Sequence, residues 1–202
     1  MRREFQGMKV QHQTLELLPD YANHLKSLTN EDRYTRFGFN IKDESIDQLI
    51  LNMLYNKNDH HLFTAIVNDK IAGFGHLAKE DSDWELAVSV NKEFQGQGVA
   101  KELMYFMIAW GKTHGVQSVF MHCISQNQKI QHLARKFGLR TVERSGGEIT
   151  AKVELPGATP LDYTSEFMRE QKELAHQIIE LQHKMLRNLN PLSYVTDHKV
   201  NR

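Results

Sequence analysis

The segment from Val88 to Ala100 has the composition of a site that holds phosphate groups. Its pattern predicts a strand, then a glycine-containing loop at Gln95–Gly98, then an amphipathic helix that begins near Val99. A helix N-terminus offers unpaired backbone N–H groups and the positive end of the helix dipole. Glycine lets a ligand approach the backbone closely. The segment therefore predicts a loop that binds a diphosphate.

Two well-known phosphate loops do not fit this chain. The dinucleotide fingerprint GxGxxG needs a third glycine where Lys101 stands. A Walker A loop needs a glycine where Phe106 stands, and its apparent triplet at 111–113 closes a helix instead of opening one. Both nucleotide-binding interpretations are excluded. Taken alone, the glycine pair also fits an ordinary turn.

The strand before the loop carries a carboxylate on its less apolar face. By alternation, Trp84, Leu86, Val88 and Val90 share one face, and Glu85, Ala87 and Ser89 share the other. Among such small neighbours Glu85 is placed to line a cleft, and it equally fits a solvated charge on a strand.

Hydrophobic periodicity predicts the elements that position these residues. We expect a strand at 10–18, a helix opened by Pro19, a short helix capped by Asn30 and a further helix from Asp43. The remaining elements are a hairpin at 62–67 and 71–77, a strand at 84–90, a helix from Val99, a strand at 118–124, a helix at 130–137 ended by Gly138, and a hairpin at 139–143 and 148–155.

The stretch 156–160 predicts a boundary between a domain at 1–155 and a helical extension with a tail at 156–202. A long helix is expected at 161–189, stopped by Pro191, with a loose tail after Tyr194. Its apolar residues form one seam with near-heptad spacing: Phe167, Leu174, Ile178, Leu181 and Met185. The seam fits packing on its own domain or on another subunit, and we favour a homodimer.

Composition excludes several classes of protein. The 202 residues carry 25 Lys+Arg and 25 Asp+Glu, so the basic excess of a general nucleic-acid binder is missing. The single cysteine, Cys123, excludes an intramolecular disulfide and a zinc site of the CxxC type. No apolar run approaches the roughly 20 residues of a membrane span, and no leader segment is evident. We expect a cytoplasmic protein without a metal, a nucleic-acid partner or a membrane partner.

Two spaced motifs resemble those of the GNAT acyl-CoA N-acetyltransferases. Residues 95–100 match the pattern Q/R-x-x-G-x-G/A, with Ala100 at its last position. Residues 127–139 resemble the later segment N-x-x-x-x-x-L-x-x-K-x-G-F, with Leu139 at its end. The resemblance covers residues 10–155. Segments 28–37, 84–90 and 94–98 are also similar to the GNAT domains of bacterial protein lysine acetyltransferases, which gives a closer kinship within the family.

The resemblance implies an α+β GNAT fold, in which helices flank a mixed, mostly antiparallel, splayed sheet. It further implies that acetyl-CoA donates an acetyl group to a primary amine by direct attack on the thioester. We expect protein lysine as acceptor ahead of small amines. The residues implied to bind the cofactor are Val88, Ser89, Val90, Gln95, Gly96, Gln97, Gly98, Val99, Ala100, Lys101 and Asn127.

The resemblance also assigns catalytic roles. A lysine-type amine has a pKa of about 10.4, so attack needs a base, and Glu85 stands at that position. A strand N–H at Val88 is expected to stabilise the oxyanion. The family's tyrosine, which protonates the departing thiolate, aligns with Ala134, so no general acid is named. An acyl-CoA-binding sensor without turnover is the alternative function. We expect His76 and His122 to lie on strands near the cleft, where each is structural or assists as a proton relay, and we favour the structural role. Cys123 is expected to be structural. Arg33 and Arg36 are expected to be solvated or to contact an acidic group of the substrate, and we favour the first.

Overall fold

The computed structural model describes residues 8–13 and 17–189. Its strands are β1 (Met8–Gln13), β2 (His60–Val67), β3 (Lys70–Glu80), β4 (Asp83–Val90), β5 (Ser118–Ile124), β6 (Arg140–Ser145) and β7 (Glu148–Glu154). Its first five helices are α1 (Leu18–Ser27), α2 (Asn30–Phe37), α3 (Asp43–Tyr55), α4 (Val99–Thr113) and α5 (Gln128–Lys136).

The described strands form one seven-stranded sheet in the order β1-β2-β3-β4-β5-β7-β6. Neighbouring strands are antiparallel except for β4 and β5, which are parallel. The sheet is therefore mixed and mostly antiparallel, with helices on both faces, which confirms the predicted α+β fold class. The parallel pair is connected through α4, as a parallel crossover requires.

The β2–β3 hairpin shows why the predicted turns form where they do. Val67 pairs with Lys70, so the loop consists of Asn68 and Asp69 alone. Both residues have positive φ, at 50° and 60°, as a tight two-residue hairpin turn requires. Asn and Asp tolerate this conformation better than most residues do. The predicted hairpin is confirmed, and both strands run longer than expected.

The first strand is shorter than the sequence pattern indicated. Strand β1 ends at Gln13, and residues 14–16 lie outside the described part. Leu18 already begins α1, where Pro19 occupies the first turn. The predicted strand over 10–18 was therefore wrong at its end, because Leu17 is the N-cap residue of α1 and Leu18 is the first residue of that helix.

The cap of α2 also differs by one residue from the prediction. The Thr29 hydroxyl accepts a hydrogen bond from the Asp32 backbone N–H at 3.1 Å and donates to the Asp32 carboxylate at 2.7 Å. Asn30 is the first residue of the helix itself. Both residue types cap helices well, so composition alone did not decide between them. Gly38, with φ of 77°, ends this helix.

Two apolar layers cover the two faces of the sheet. The layer under α4 and α5 includes Leu86, Leu103, Met107, Trp110, Val119 and Ala134. The layer under α1 and α3 includes Tyr21, Leu25, Ile46, Met53 and Phe74. Strand β4 contributes its larger apolar side chains to the first layer, so Glu85, Ala87 and Ser89 face the α1–α3 side, as the alternation predicted.

A second unit begins at Pro160, and its described part is α6 (Pro160–Leu189). Several of its apolar side chains are exposed: Tyr163, Phe167, Ile178, Leu181 and Met185. The side chain of Leu174 and the tail expected after Tyr194 lie outside the described residues. Within the described part of the chain, no helix combines the length and the apolar character needed to cross a membrane.

Candidate active site

The sheet opens between β4 and β5, and this opening is the centre of the candidate site. Strand β4 pairs with β3 along its whole length, but it pairs with β5 only at Trp84–Val119 and Glu85–Phe120. Beyond Glu85, no described strand pairs with the edge of β4 that faces β5. Backbone N–H and C=O groups on such an edge bind water or an extended ligand. The arrangement can therefore hold an amide-containing ligand arm as an added strand.

The predicted phosphate loop lies directly after this open edge. Gly96 and Gly98 have φ of 74° and 86°, a conformation that glycine adopts without strain. Apart from Gly96 and its two chain neighbours, no described residue has an atom within 4 Å of the space that a Cβ of Gly96 would fill. Helix α4 begins at Val99, and among the described residues no side chain caps its N-terminus. Its first N–H groups therefore remain for a ligand.

Side chains of the loop are used to hold its shape. The Gln95 amide donates to the Val90 carbonyl at 3.2 Å and to the Asp32 carboxylate of α2 at 3.1 Å. The Gln97 amide donates to the Glu93 carbonyl at 2.8 Å. These bonds fix the backbone while leaving its amides open, as a preformed diphosphate cradle requires.

A small cavity of about 150 Å³ lies beside the first turn of α4. Its lining includes two cations, Lys101 of α4 and Lys136 of α5, together with the rings of Tyr105 and Phe137. Lys101 also approaches Glu102 at 3.4 Å. Positive charge next to aromatic surface suits the nucleotide end of a coenzyme A molecule whose diphosphate lies on the loop. Together, the open edge, the free amides and these cations fit coenzyme A.

A larger cavity of about 320 Å³ lies on the α1–α3 side of the sheet, where β4 and β5 separate. Glu85 lines it and is half-buried, so this carboxylate faces a cavity and is not a fully solvated charge. The other charged or titratable side chains of the lining are Arg36, His60, His76, His122, Cys123 and Glu148.

A pair of buried histidines in this cavity was not predicted. His60 Nδ1 and His76 Nε2 are 3.1 Å apart, and both residues are less than a tenth exposed. Burial lowers the pKa of His76 well below 6.5, and the nearby Arg36 guanidinium lowers it further. Burial also lowers the pKa of His60, against the opposing charge of Asp59. His76 was expected near the cleft, and it lines the cavity; its contact with His60 is the unexpected finding.

A third histidine, also missed from the sequence, connects α1 to the end of β4. His24 Nε2 lies 2.7 Å from the Ser89 hydroxyl, and His24 Nδ1 lies 2.8 Å from Asn91 Oδ1. The Asn91 amide donates to the Ile71 carbonyl at 2.7 Å, so its oxygen faces the histidine. Burial lowers the pKa of His24 to about 4, so this imidazole is neutral at pH 7. It positions the end of β4, where the loop begins.

The later motif has a visible structural role. Asn127 caps α5, because its side-chain oxygen accepts a hydrogen bond from the Ile130 N–H at 3.2 Å. Ala134, which aligns with the family's tyrosine, is buried in the core. Cys123 is buried as expected, and burial raises the pKa of its thiol. The backbone N–H of Val88 stands on β4 beyond its last pair with β5.

The two arginines of α2 differ from the expectation that both are solvated. Arg33 donates to the carbonyls of Lys26 and Ile41 and forms an ion pair with Asp43 at 2.8 Å, with its side chain only 14% exposed. It therefore braces the three N-terminal helices. Arg36 lines the larger cavity instead. Within the described residues, no group of three His, Cys, Asp or Glu side chains could hold a metal ion.

The splayed sheet, the glycine loop with its free backbone amides and the adjoining cavity fit an acyl-CoA-dependent transferase. A sequence model of the Acetyltransferase (GNAT) family matches residues 23–139, and the chain belongs to this family. The expected activity, transfer of an acetyl group from acetyl-CoA to a primary amine, is thereby supported. Acetyl-CoA is the acyl donor. A search of curated protein sequences found no match.

Solved structures show the same fold at low sequence identity. The spermidine N-acetyltransferase from Vibrio cholerae, in complex with CoA and spermine, is 13% identical with a TM-score of 0.60, covering 74% of this chain and 96% of its own. The GNAT domain of S. lividans PAT is 15% identical with a TM-score of 0.62, covering 73% and 90%. The PaiA N-acetyltransferase from Thermoplasma acidophilum, in complex with coenzyme A, is 15% identical with a TM-score of 0.56, covering 73% and 98%.

Proposed function

We propose that the larger cavity binds the acceptor amine and that Glu85 is the general base. One observation carries this proposal. Glu85 occupies the last position at which β4 pairs with β5, and its side chain lines the cavity. The carboxylate therefore stands where the open strand edge, which suits the donor, meets the cavity, which suits the acceptor.

The chemistry follows from the charge state of the acceptor. A primary ammonium with a pKa of about 10.4 must lose a proton before its nitrogen can attack a thioester. Glu85 takes that proton, directly or through a water molecule. The backbone N–H of Val88 donates to the carbonyl oxygen as negative charge develops on it. A thiolate leaves readily, since the pKa of a cysteine-like thiol is near 8.5. The reaction therefore does not require a tyrosine at Ala134.

The donor is held by the residues predicted from the sequence. We assign the pantetheine arm to the open edge at Val88, Ser89 and Val90, and the diphosphate to the amides of residues 95–101. The open space at Gly96 and the uncapped start of α4 support this assignment. Asn127 contributes by capping α5 beside the splay. Lys136 joins Lys101 at the nucleotide end.

Protein lysine is our first choice of acceptor. The cavity presents two carboxylates, Glu85 and Glu148, to an incoming ammonium group. The fold is shared with the GNAT domain of S. lividans PAT, and the segments 28–37, 84–90 and 94–98 carry the closer resemblance. A polyamine is the second choice, since the fold is shared equally with a spermidine N-acetyltransferase solved with spermine. We place the reaction in the cytoplasm and propose a homodimer through the apolar seam of α6.

The alternative function is an acyl-CoA sensor without turnover. It is supported by the buried Ala134, which stands where the family's thiolate-protonating tyrosine aligns. A panel assay separates the two functions. CoA thiol release from acetyl-CoA is measured with lysine peptides, polyamines, amino acids and aminoglycosides. Release of CoA thiol with one of these classes of amine identifies the class of acceptor. If no amine of the panel causes CoA release, while acetyl-CoA still raises the melting temperature of the protein, the sensor function is supported.

The variant Glu85→Gln tests the assignment of the base. We expect kcat to fall by about 10²–10⁴-fold, the usual contribution of a general base, while the Kd of acetyl-CoA stays nearly unchanged. Glu148→Gln is the matched control, because Glu148 is the second carboxylate of the same cavity. Full activity of Glu85→Gln, or an equal loss in both variants, would refute the assignment.

A further inference from the structure

One arginine, Arg36 of α2, lines the larger cavity. Its guanidinium carbon lies 4.8 Å from the centre of the Phe37 ring, which lines the same wall. Among the described residues, Arg36 forms no ion pair, whereas Arg33 on the same helix pairs with Asp43 at 2.8 Å. The two arginines of this short helix therefore differ in role. Arg33 is used within the fold, and the charge of Arg36 remains for an occupant of the cavity.

The guanidinium of Arg36 lies close to buried groups of the protein. Burial raises the pKa of Tyr21 on α1, and the positive charge of Arg36 opposes that effect. Burial lowers the pKa of His76 on β3, and the same charge lowers it further. Tyr21 and His76 are both buried, and Arg36 itself is half-buried. A partly desolvated cation is stabilised when an anion pairs with it, so this position favours a negatively charged ligand group.

Negative charge lies in the same cavity but is not paired with Arg36. Glu85 of β4 and Glu148 of β7 line the cavity, and neither forms an ion pair within the described part of the chain. The Glu148 carboxylate packs against the end of α2, where a Cβ on Gly38 would clash with it. The charge of Glu85 acts on Tyr21, as that of Arg36 does. The cavity thus offers one cation beside two carboxylates, which suits an occupant that carries both an ammonium and a carboxylate group.

We infer that Arg36 binds a carboxylate of the acceptor, so the amine that is acetylated has an acidic group near it. This inference rests on the proposed function of the cavity and of Glu85. The acceptor ammonium faces Glu85, and the planar guanidinium donates two parallel N–H bonds to the acceptor carboxylate. Arg36 is then a residue that determines specificity. A polyamine, which has no carboxylate, leaves the guanidinium unpaired and is a poor acceptor.

Two kinds of acceptor supply this chemistry, and matched pairs of amines distinguish them. The first pair is a peptide with both ends blocked that contains Lys-Glu, and its counterpart with Lys-Gln. The second pair is free lysine and lysine amide, and spermidine is the amine without a carboxylate. We expect kcat/KM to be roughly 10-fold higher for the acid than for its amide in at least one pair, because a hydrogen-bonded charged group is being matched. The pair that shows this ratio identifies the source of the carboxylate.

The variant Arg36→Gln tests the residue itself, because it removes the charge and keeps a polar side chain. The ratio of kcat/KM between acid and amide should fall from roughly 10 to about 1. Arg36→Lys should keep part of the ratio, since lysine retains the charge but not the planar fork. Arg140→Gln is the matched control: Arg140 is an exposed arginine of β6 that does not line the cavity, and this variant should keep the wild-type ratio.

The outcomes separate this inference from the proposed function. An equal loss of kcat/KM for acid and amide in Arg36→Gln indicates a structural role and refutes the inference. If a melting curve shows that Arg36→Gln does not fold, the ratios of Arg36→Lys and of the wild type decide. A wild type that acetylates acid and amide equally in both pairs, or prefers spermidine, refutes the role of Arg36 while the proposed function stands. A wild type that is inactive toward every amine refutes both.

Discussion

We expect the stability of the folded protein to fall at acidic pH because of His24. One substitution isolates this effect. The imidazole of His24 is 6% exposed and binds the Ser89 hydroxyl and the Asn91 amide. Burial lowers its pKa to about 4 from an ordinary value of 6.5. Between these values the unfolded chain binds a proton that the folded protein does not bind. Stability is therefore fully present above pH 6.5 and is lost as the pH falls toward 4.

The size of the loss follows from these two pKa values. The full interval corresponds to roughly 3 kcal/mol, since each tenfold change in proton affinity is about 1.4 kcal/mol. At pH 5 most of the interval has been crossed, and the expected loss relative to pH 8 is about 2 kcal/mol. For a domain of this size that corresponds to a decrease in melting temperature of roughly 4–8 °C.

The variant His24→Gln is the matched comparison, because glutamine supplies a donor and an acceptor but does not titrate. Urea unfolding of both proteins at pH 8 and pH 5 gives two free energies of unfolding for each. His76, His60 and His61 also have lowered pKa values, but they are common to both proteins and cancel in the difference. The wild type should lose about 2 kcal/mol more than the variant. Equal losses of unfolding free energy in the wild type and in His24→Gln would refute the proposed effect of His24.

Two further predictions concern the donor side of the site. In Gly73→Ala, the added Cβ would lie 2.5 Å from the Ser89 carbonyl oxygen on β4. We expect the variant to lose about 1–3 kcal/mol of stability in thermal unfolding and to bind acetyl-CoA more weakly. An unchanged Kd of acetyl-CoA would contradict this prediction. Lys136→Ala should raise the KM of acetyl-CoA roughly fivefold, because an exposed charge pair contributes about 1 kcal/mol to binding. The increase should be smaller at high salt, which screens exposed charges. Lys129→Ala on the same helix is its control, and an equal effect of both would count against a specific contact.

Much of the architecture was predictable, because its signals are local. The alternation in β4, the periodicity of α4 and the turn residues Asn68 and Asp69 each depend on a few neighbouring side chains. The glycine loop was equally predictable, since Gly96 and Gly98 stand directly before the periodic helix α4. Errors occurred where two local signals compete. Thr29 and Asn30 both cap helices, and only the backbone of the folded chain decides between them.

The contacts of His24, His60 and His76 could not be predicted, because their partners are distant in the sequence. His60 and His76 are 16 residues apart, and His24 is 65 residues from Ser89. No spacing rule connects positions that meet only through sheet register and helix packing. For His76 the sequence indicated a strand near the cleft and left two roles open, a structural one and a proton relay. The β2–β3 register, once known, is what brings His76 to the wall of the cavity beside Glu85.

One strand explains why the proposed site lies where it does. The apolar face of β4 packs under α4 through Leu86, and its other face presents Glu85 to the cavity. Its edge toward β5 is free beyond Glu85 because the two strands separate there. A slip of one residue in the β3–β4 register would turn Glu85 into the apolar layer. The packing of β4 under α4, the position of the proposed base and the proposed donor edge thus all depend on the register between β3 and β4. The apolar core under α4 holds this register in place.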